Sequence, residues 1–501
     1  MGDFITLSCE LNLNRHKNNK KVAISTMAAA IVVIVILVIA GVAGYYLYSA
    51  MAPAQTTGII PTTTAAPVTV NIITFDQGLV WTDLWNATTN QPLAPLLEFE
   101  RRYNININVE FDDEATVRQK VQADFASGAG RYDITLADTS NLLQVYGSSG
   151  QLYPLDQFYT QSSPNYTPSE FFNYTDFIPK ALEACSYEGH LYALPYFTFA
   201  SSFNYRADLF QKYNVQVPTT ISEMMNVTLP ALKAGMRADG TYGNVYPIAL
   251  RGEPKETTAL DVNAFIYGFG GTWFQGGYST VAEVKAHHAL PAFNSTAVVN
   301  AIKTYAMMGR EFSTLDTPSY DFSKEISLYQ SGKAAILFPQ SVNAFVAQKY
   351  GDPSITSKMA YAPTVVGPTG QPFDEIWSLA FGISKFTHNP TAAWLALTFL
   401  MSYPRQLYFA EGYFPNPSLL SVLLSPDLTK VWGKDTMQVM IDELARSNPH
   451  FIAYIPEANA INVKMGEVTS AVMAGQMTPP QAGQALQDYA YQLLLSDGYY
   501  S

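Results

Sequence analysis

Residues Val22–Tyr48, VAISTMAAAIVVIVILVIAGVAGYYLY, run without a single charged side chain. As a helix rising about 1.5 Å per residue, this run exceeds the roughly 30 Å hydrocarbon core of a bilayer. It is also longer than the apolar region of a secretory signal, about 7–15 residues, so it predicts a retained anchor. Arg15, Lys17, Lys20 and Lys21 precede it and are expected to stay inside, with the rest of the chain outside. Tyr45, Tyr46 and Tyr48 stand where an interfacial aromatic belt would lie. A lipidated cysteine would follow such a segment, whereas Cys9 precedes it. Cys185 is the only other cysteine, so no disulfide framework or zinc pattern exists.

The segment APAQTTGIIPTTTAAPV (52–68) is uncharged and rich in Thr, Pro and Ala, the composition of an extended stalk. Asn-x-Ser/Thr sequons follow at Asn86, Asn165, Asn173, Asn226 and Asn294. All five lie beyond the anchor, as expected of an exported, glycosylated surface. A net charge of −12 argues against nucleic acid as a partner. Only 14% of residues are charged, a composition suited to an acidic medium in which carboxylates are partly neutral.

Beyond the stalk the pattern alternates between strand and helix periods. VTVNIITFD (68–76), INVEFDD and YDITLAD (132–138) read as strands. PLAPLLEFERRYNI (92–105) and TVRQKVQADFASG read as the helices between them. The order β-α-β-α-β predicts a parallel α/β sheet, and 501 residues require more than one core. In such sheets ligands bind beyond the carboxyl ends of the strands. The loops there carry Trp81, Asp83 and Trp85, and Asp138, Thr139 and Ser140.

No phosphate-loop, HExxH, GxSxG or GxGxxG motif occurs. His287 and His288 are adjacent and would point apart, and no metal or cofactor site is expected. The carboxylates of FDDEA (111–115) read as a solvated helix start. Aromatics beside small polar residues do stand out, in IWSLA (376–380), GTWF (271–274) and EGYFPNP (411–417). An aromatic plane covers the C–H face of a sugar, while amides, carboxylates and guanidinium groups satisfy its hydroxyls. Core packing explains any one of these rings equally well.

Five ordered segments carry a family resemblance: FERRYNININVEF; YDITLADTSNLLQVYGSSGQLYPLDQF (132–158); EGHLYALPYFTFASSFNYRADLFQKYNVQVPTTISEM (188–224); YQSGKAAILFPQS (329–341); and IWSLAFGISKFTHNPTAAWLALTFLMSYPRQLYFAEGYFPNP (376–417). Together with the tail AVMAGQMTPPQAGQALQDYA, they resemble the extracellular solute-binding proteins of ABC transporters, in the carbohydrate-binding group that includes maltose-binding protein. The anchored arrangement is similar to archaeal surface binding proteins with a pilin-like signal. The resemblance implies a two-lobed periplasmic-binding-protein-like α/β fold (type II) preceded by one N-terminal transmembrane helix, with the ligand held between the lobes. It implies no catalysis, with an ABC permease and its ATPase as separate partner chains.

Carried over, the domains are 1–21 (cytoplasmic), 22–48 (anchor), 49–67 (stalk), 68–198 plus 338–399 (lobe one) and 199–337 plus 400–495 (lobe two). Crossings are expected near Phe197–Ala200, Leu337–Gln340 and Leu400–Tyr403. The implied ligand-binding residues are Trp81, Asp138, Thr139, Tyr196, Phe197, Glu253, Trp273, Gln340, Trp377 and Tyr413. Ile221 stands where the family has a Trp, Ile376-Trp377-Ser378 replaces a more Gly-rich turn, and EANAIN lacks a binding Trp seen in some relatives. Two other readings remain: a surface polysaccharide hydrolase, which needs a positioned carboxylate pair, and a structural or adhesive surface glycoprotein.

Overall fold

The computed structural model describes residues 66–75, 82–86, 91–112, 114–137, 139 and 142–500. The expected anchor, nearly all of the stalk, Trp81 and Asp138 lie outside the described residues. Among the described residues no helix is long and apolar enough to cross a membrane.

The first sheet begins as the sequence pattern requires. Strand β1 (Val68–Phe75) leads to helix α1 (Ala94–Tyr103), β2 (Ile105–Asp112), α2 (Glu114–Ser127) and β3 (Ile134–Leu136). Helix α1 opens on a proline and ends on Arg101 and Arg102, whose charge suits the negative end of the helix dipole. Asn104, at φ 53°, then turns the chain into β2. Buried Ile105 and Ile107 alternate with exposed Asn106 and Asn108. Strand β1 pairs in parallel with β2 over its whole length, and with β3 on its other side.

The aromatic run from residue 189 becomes strand β4 (Ala193–Ala200), buried at every position, followed by β5 (Phe203–Arg206). Strand β5 belongs to a second sheet with β6 (Tyr246–Ala249), β7 (Ala334–Leu337) and β8 (Met359–Ala362). That sheet runs in the order β6-β7-β5-β8, with β6 and β7 parallel and β5 antiparallel to both neighbours. The chain returns to the first sheet in β9 (Ile376–Ile383), which lies antiparallel between β3 and β4. The first sheet is therefore mixed, ordered β2-β1-β3-β9-β4.

Each sheet has its own core. The first includes fully buried Trp394, stacked on Phe158 at 5.5 Å, with its indole N–H donated to the Thr167 carbonyl. The second is built on α3 (Glu256–Gly268), α4 (Thr296–Phe312), α10 (Ala458–Met473) and α11 (Pro479–Ser496); intervening helices are α5 (Phe322–Gln330), α6 (Ser341–Tyr350), α7 (Pro390–Leu400), α8 (Tyr403–Gly412) and α9 (Lys434–Arg446). Helices α3 and α10 approach so closely at Gly466 that a Cβ there would lie 1.9 Å from the Lys255 carbonyl oxygen.

The chain crosses between the sheets at Ser201–Ser202, at residues 374–375 and at residues 447–449; the expected crossing near Leu337–Gln340 is none, since β7 before it and β8 after it lie in the same sheet. This corrects the expected partition in two stretches. Strand β8 and Phe373, expected in lobe one, lie in the second sheet and core because β8 covers the free edge of β5. Residues 403–446, expected in lobe two, pack on the first core, so Leu400–Tyr403 is no crossing. The physical reason is aromatic: Phe409 and Phe414 complete a cluster with Phe197 and Phe199 of β4.

Candidate functional site

The carboxyl ends of β3 and β4 and the start of β9 meet at one edge of the first sheet. Thr139 donates its N–H to the Ser378 carbonyl (3.2 Å) and accepts the Ser378 N–H at its hydroxyl (2.8 Å). The Thr198 hydroxyl lies between those of Ser378 (2.9 Å) and Ser418 (2.7 Å). Beside them Trp377, partly buried, stacks on Phe199 at 5.5 Å and 17°. Phe197 stacks on Phe409 at 4.9 Å and 4°, and Phe409 touches Phe414 and Tyr413. The Tyr413 hydroxyl meets Thr82 at 3.1 Å, and Tyr408 reaches the same threonine at 3.3 Å. This gives lobe one an aromatic wall edged with hydroxyls.

Tyr196 and Phe197 are consecutive, yet both rings contact Phe409. The register of β9 against β4 slips there: Leu379 pairs with Phe197 and Ala380 with Pro195, so the ladder steps over Tyr196. Such a bulge defeats strict alternation of side chains. Both rings are almost wholly buried, at 1% exposure each. Arg405 lies over the Tyr196 ring and pairs with Asp83 at 2.6 Å. Burial raises the Asp83 carboxyl, and the guanidinium partly offsets this.

On the second sheet a charged node occupies the carboxyl ends of the parallel strands β6 and β7. Arg251, just after β6, holds the carboxylate of Asp261 in α3 through two nitrogens. The Tyr305 hydroxyl lies 2.8 Å from Asp261 Oδ2 and 2.9 Å from the Arg251 carbonyl oxygen. Glu325 of α5 lies 3.7 Å from Arg251 Nε and accepts a hydrogen bond from Asn343 of α6 (2.9 Å). Gln340, three residues beyond β7, donates its side-chain amide to Glu375. Burial pushes the Glu325 and Glu375 carboxyls well above the usual range, and Asp261 adds to the shift of each while Arg251 opposes it.

The two features meet on one short stretch. Glu375 lies within electrostatic reach of Asp261 and Arg251, and Trp377, two residues on, belongs to the aromatic wall. Of the residues expected at the site, Thr139, Phe197, Trp377 and Tyr413 come together on lobe one, Tyr196 is buried against Phe409, and Gln340 holds Glu375. Glu253 stands apart, its carboxylate 2.8 Å from both Lys255 and the Thr257 hydroxyl. Trp273 is turned into the second core: its indole N–H goes to Asn263 (2.8 Å), which in turn donates to Asn462 (3.0 Å). The side chains of Asn86, Asn165, Asn173, Asn226 and Asn294 are all exposed. Sequence reasoning missed Phe199, Arg251, Asp261, Glu325 and Glu375. Alternation from Phe197 would have found Phe199; nothing local marks the other four.

Two α/β lobes exchanging strands, with strand ends converging on one junction, define a two-lobed binding-protein architecture. A sequence profile described as "Bacterial extracellular solute-binding protein" matches residues 41–406, and the chain belongs to that family. Its members bind solutes and are not enzymes. The mannitol-binding protein of Pseudomonas aeruginosa is 25% identical over 410 residues, covering 77% of this chain and 86% of that protein. An ABC transporter solute-binding protein from Agrobacterium radiobacter, crystallised with ribitol, shares the fold with a TM-score of 0.69 at 22% identity, over 85% of this chain and 98% of that one. A maltose-bound protein of T. maritima aligns with a TM-score of 0.67 at 19% identity, over 85% and 100%.

Proposed function

We propose that this chain is a cell-surface receptor that captures a sugar or sugar alcohol between its lobes and hands it to an ABC permease powered by a separate ATPase. The observation that carries this reading is the meeting of an aromatic wall and a donor- and acceptor-rich node at residues 374–377. A polyol has C–H faces for the first and hydroxyls for the second. The relatives' ligands, mannitol, ribitol and maltose, are of this chemistry. Ligand favours the arrangement in which both lobes touch it, and the permease reads that arrangement.

In this reading Trp81, Asp138, Thr139, Phe197, Gln340, Trp377 and Tyr413 contribute to the ligand site, with Tyr196 supporting it from below. Residues 22–48 hold the protein in the membrane, 49–67 act as a stalk, and the five sequon asparagines carry glycans. A panel of alditols, monosaccharides and oligosaccharides tested by thermal shift checks the ligand class. Stabilisation by at least one polyol without product formation is expected. No shift with any of them would refute the reading, and product formation would point to a hydrolase.

A further inference from the structure

The junction between the lobes concentrates carboxyl groups beyond what its cations can balance. Asp374 and Glu375 are consecutive on the crossing into β9, at 0% and 3% exposure. Glu443, at 0% exposure, lies at the end of α9, four residues before the crossing at Ser447. Arg446 reaches both Asp374 (3.3 Å) and Glu443 (2.5 Å). With Asp261 and Glu325 of the adjoining node there are five buried carboxyls against two guanidinium groups, Arg251 and Arg446. Fully ionised, the junction would hold three uncompensated negative charges away from water. Such charge is expelled by taking up protons rather than tolerated.

The same groups tie the crossings together. Ser201, on the first crossing, donates its N–H to Asp374 Oδ1 (3.2 Å). Its hydroxyl accepts the Glu375 N–H at 3.4 Å. Gln340, just beyond β7, holds Glu375 on the second crossing. Ser447, on the last, lies 3.5 Å from Asp374 Oδ1. Glu443 accepts the Thr364 N–H (3.3 Å), and Arg446 donates to the Thr364 carbonyl (3.1 Å), joining α9 to the segment after β8. Any rotation of one lobe against the other is absorbed at these crossings, so it must remake these contacts.

We infer that this junction is a proton-linked hinge, in which a proton shared by Asp374 and Glu443 holds the crossings in the arrangement described. The charged neighbours agree in direction. Asp374 is raised well above the carboxylate range by burial first and Glu443 second, while Arg446 and the Ser201 N–H oppose the shift. Glu443 is raised by burial, while hydrogen bonding from Asp374 and the charge of Arg446 oppose it. Asp261 raises Glu375 from α3, with Arg251 opposing. Loss of the shared proton leaves an unbalanced buried charge, relieved when the lobes rotate and water enters. Raising the pH therefore shifts the lobes away from the described arrangement.

The test uses the full-length chain with spin labels at Glu98→Cys on lobe one and Lys303→Cys on lobe two, both exposed. Cys9→Ser removes a competing thiol, and the buried Cys185 is left in place. Interlobe distances are measured by double electron–electron resonance without added ligand from about pH 4 to about pH 8, a window spanning the ordinary carboxyl values and those above. A pH-dependent change of distance in this background is expected, reduced by at least half in Asp374→Asn. Infrared spectra at neutral pH should show a protonated-carboxyl band that Asp374→Asn diminishes; Glu443→Gln serves if that variant fails to fold. An unchanged distance across the range, an equal change in the variant, or no protonated-carboxyl band at neutral pH would each overturn the proposal. No reading of the ligand enters these measurements.

Discussion

Trp377 separates the proposed ligand-binding role from a packing role, because its ring is packed on Phe199 yet only partly buried. One face stacks on Phe199 inside the first core, and the ring as a whole is only partly buried. Full burial makes Trp→Ala cost about 3–5 kcal/mol, so removing a ring packed on one side should cost about 2 kcal/mol of stability. In the proposed reading ligand covers part of the ring that the core leaves exposed. Half the area of an aromatic side chain is about 100 Å², worth at most about 2.5 kcal/mol at about 25 cal/mol per Å². Allowing for imperfect coverage, about 1–2.5 kcal/mol is lost on binding, a rise in Kd of about 5- to 70-fold. Urea unfolding and calorimetric titration of Trp377→Ala read the two quantities separately, and Trp377→Phe should recover part of each. A stability loss near 2 kcal/mol with Kd unchanged within twofold would refute the assignment and leave Trp377 as core alone.

Other perturbations follow from the same geometry. Tyr305→Phe removes a hydroxyl facing Asp261 and the Arg251 carbonyl and should cost about 1–3 kcal/mol. Asp261→Ala takes from Arg251 the carboxylate it holds through two nitrogens, leaving only Glu325 at 3.7 Å, and should cost about 3–5 kcal/mol; the reverse order in urea unfolding would contradict the described node. Gly466→Ala forces a Cβ against the Lys255 carbonyl and should lower stability by about 1–3 kcal/mol or more, read as a lower urea midpoint. Glu325, Asp374 and Glu375 have folded-state values raised above their ordinary 4.5, 3.8 and 4.5, chiefly by burial, so the folded chain binds more protons than the unfolded one. Their contribution is complete below about pH 4 and declines as pH rises toward the folded-state values. Calorimetry should show the melting temperature falling from about pH 4 to about pH 7, less steeply in Glu375→Gln.

The elements of the first sheet were legible because their signals are local. β-branched alternation marks β1, and helical spacing closed by Arg101-Arg102 marks α1. The partition of the second half was less legible. Nothing between Tyr403 and Arg446 says which lobe its helices serve; that depends on Phe409 finding Phe197 more than 200 residues away. The residues proposed for the site divide the same way. Trp377 and Tyr413 announced themselves as aromatics among small polar residues. Trp273 looked alike but satisfies its indole N–H on Asn263, a partner that chain order does not reveal. The carboxyls of the junction come from α3, α5, the crossing before β9 and α9, and they meet only once the fold has closed.

Calorimetric titration of the purified chain with D-mannitol, ribitol and maltose, followed by recovery and mass analysis of each ligand, tests the central claim most directly. Saturable binding of at least one of them with one site per chain is expected, weakened in Trp377→Ala, with the ligand recovered unchanged. No binding by any of the three, or binding that Trp377→Ala leaves intact together with chemical change in the recovered ligand, would contradict it.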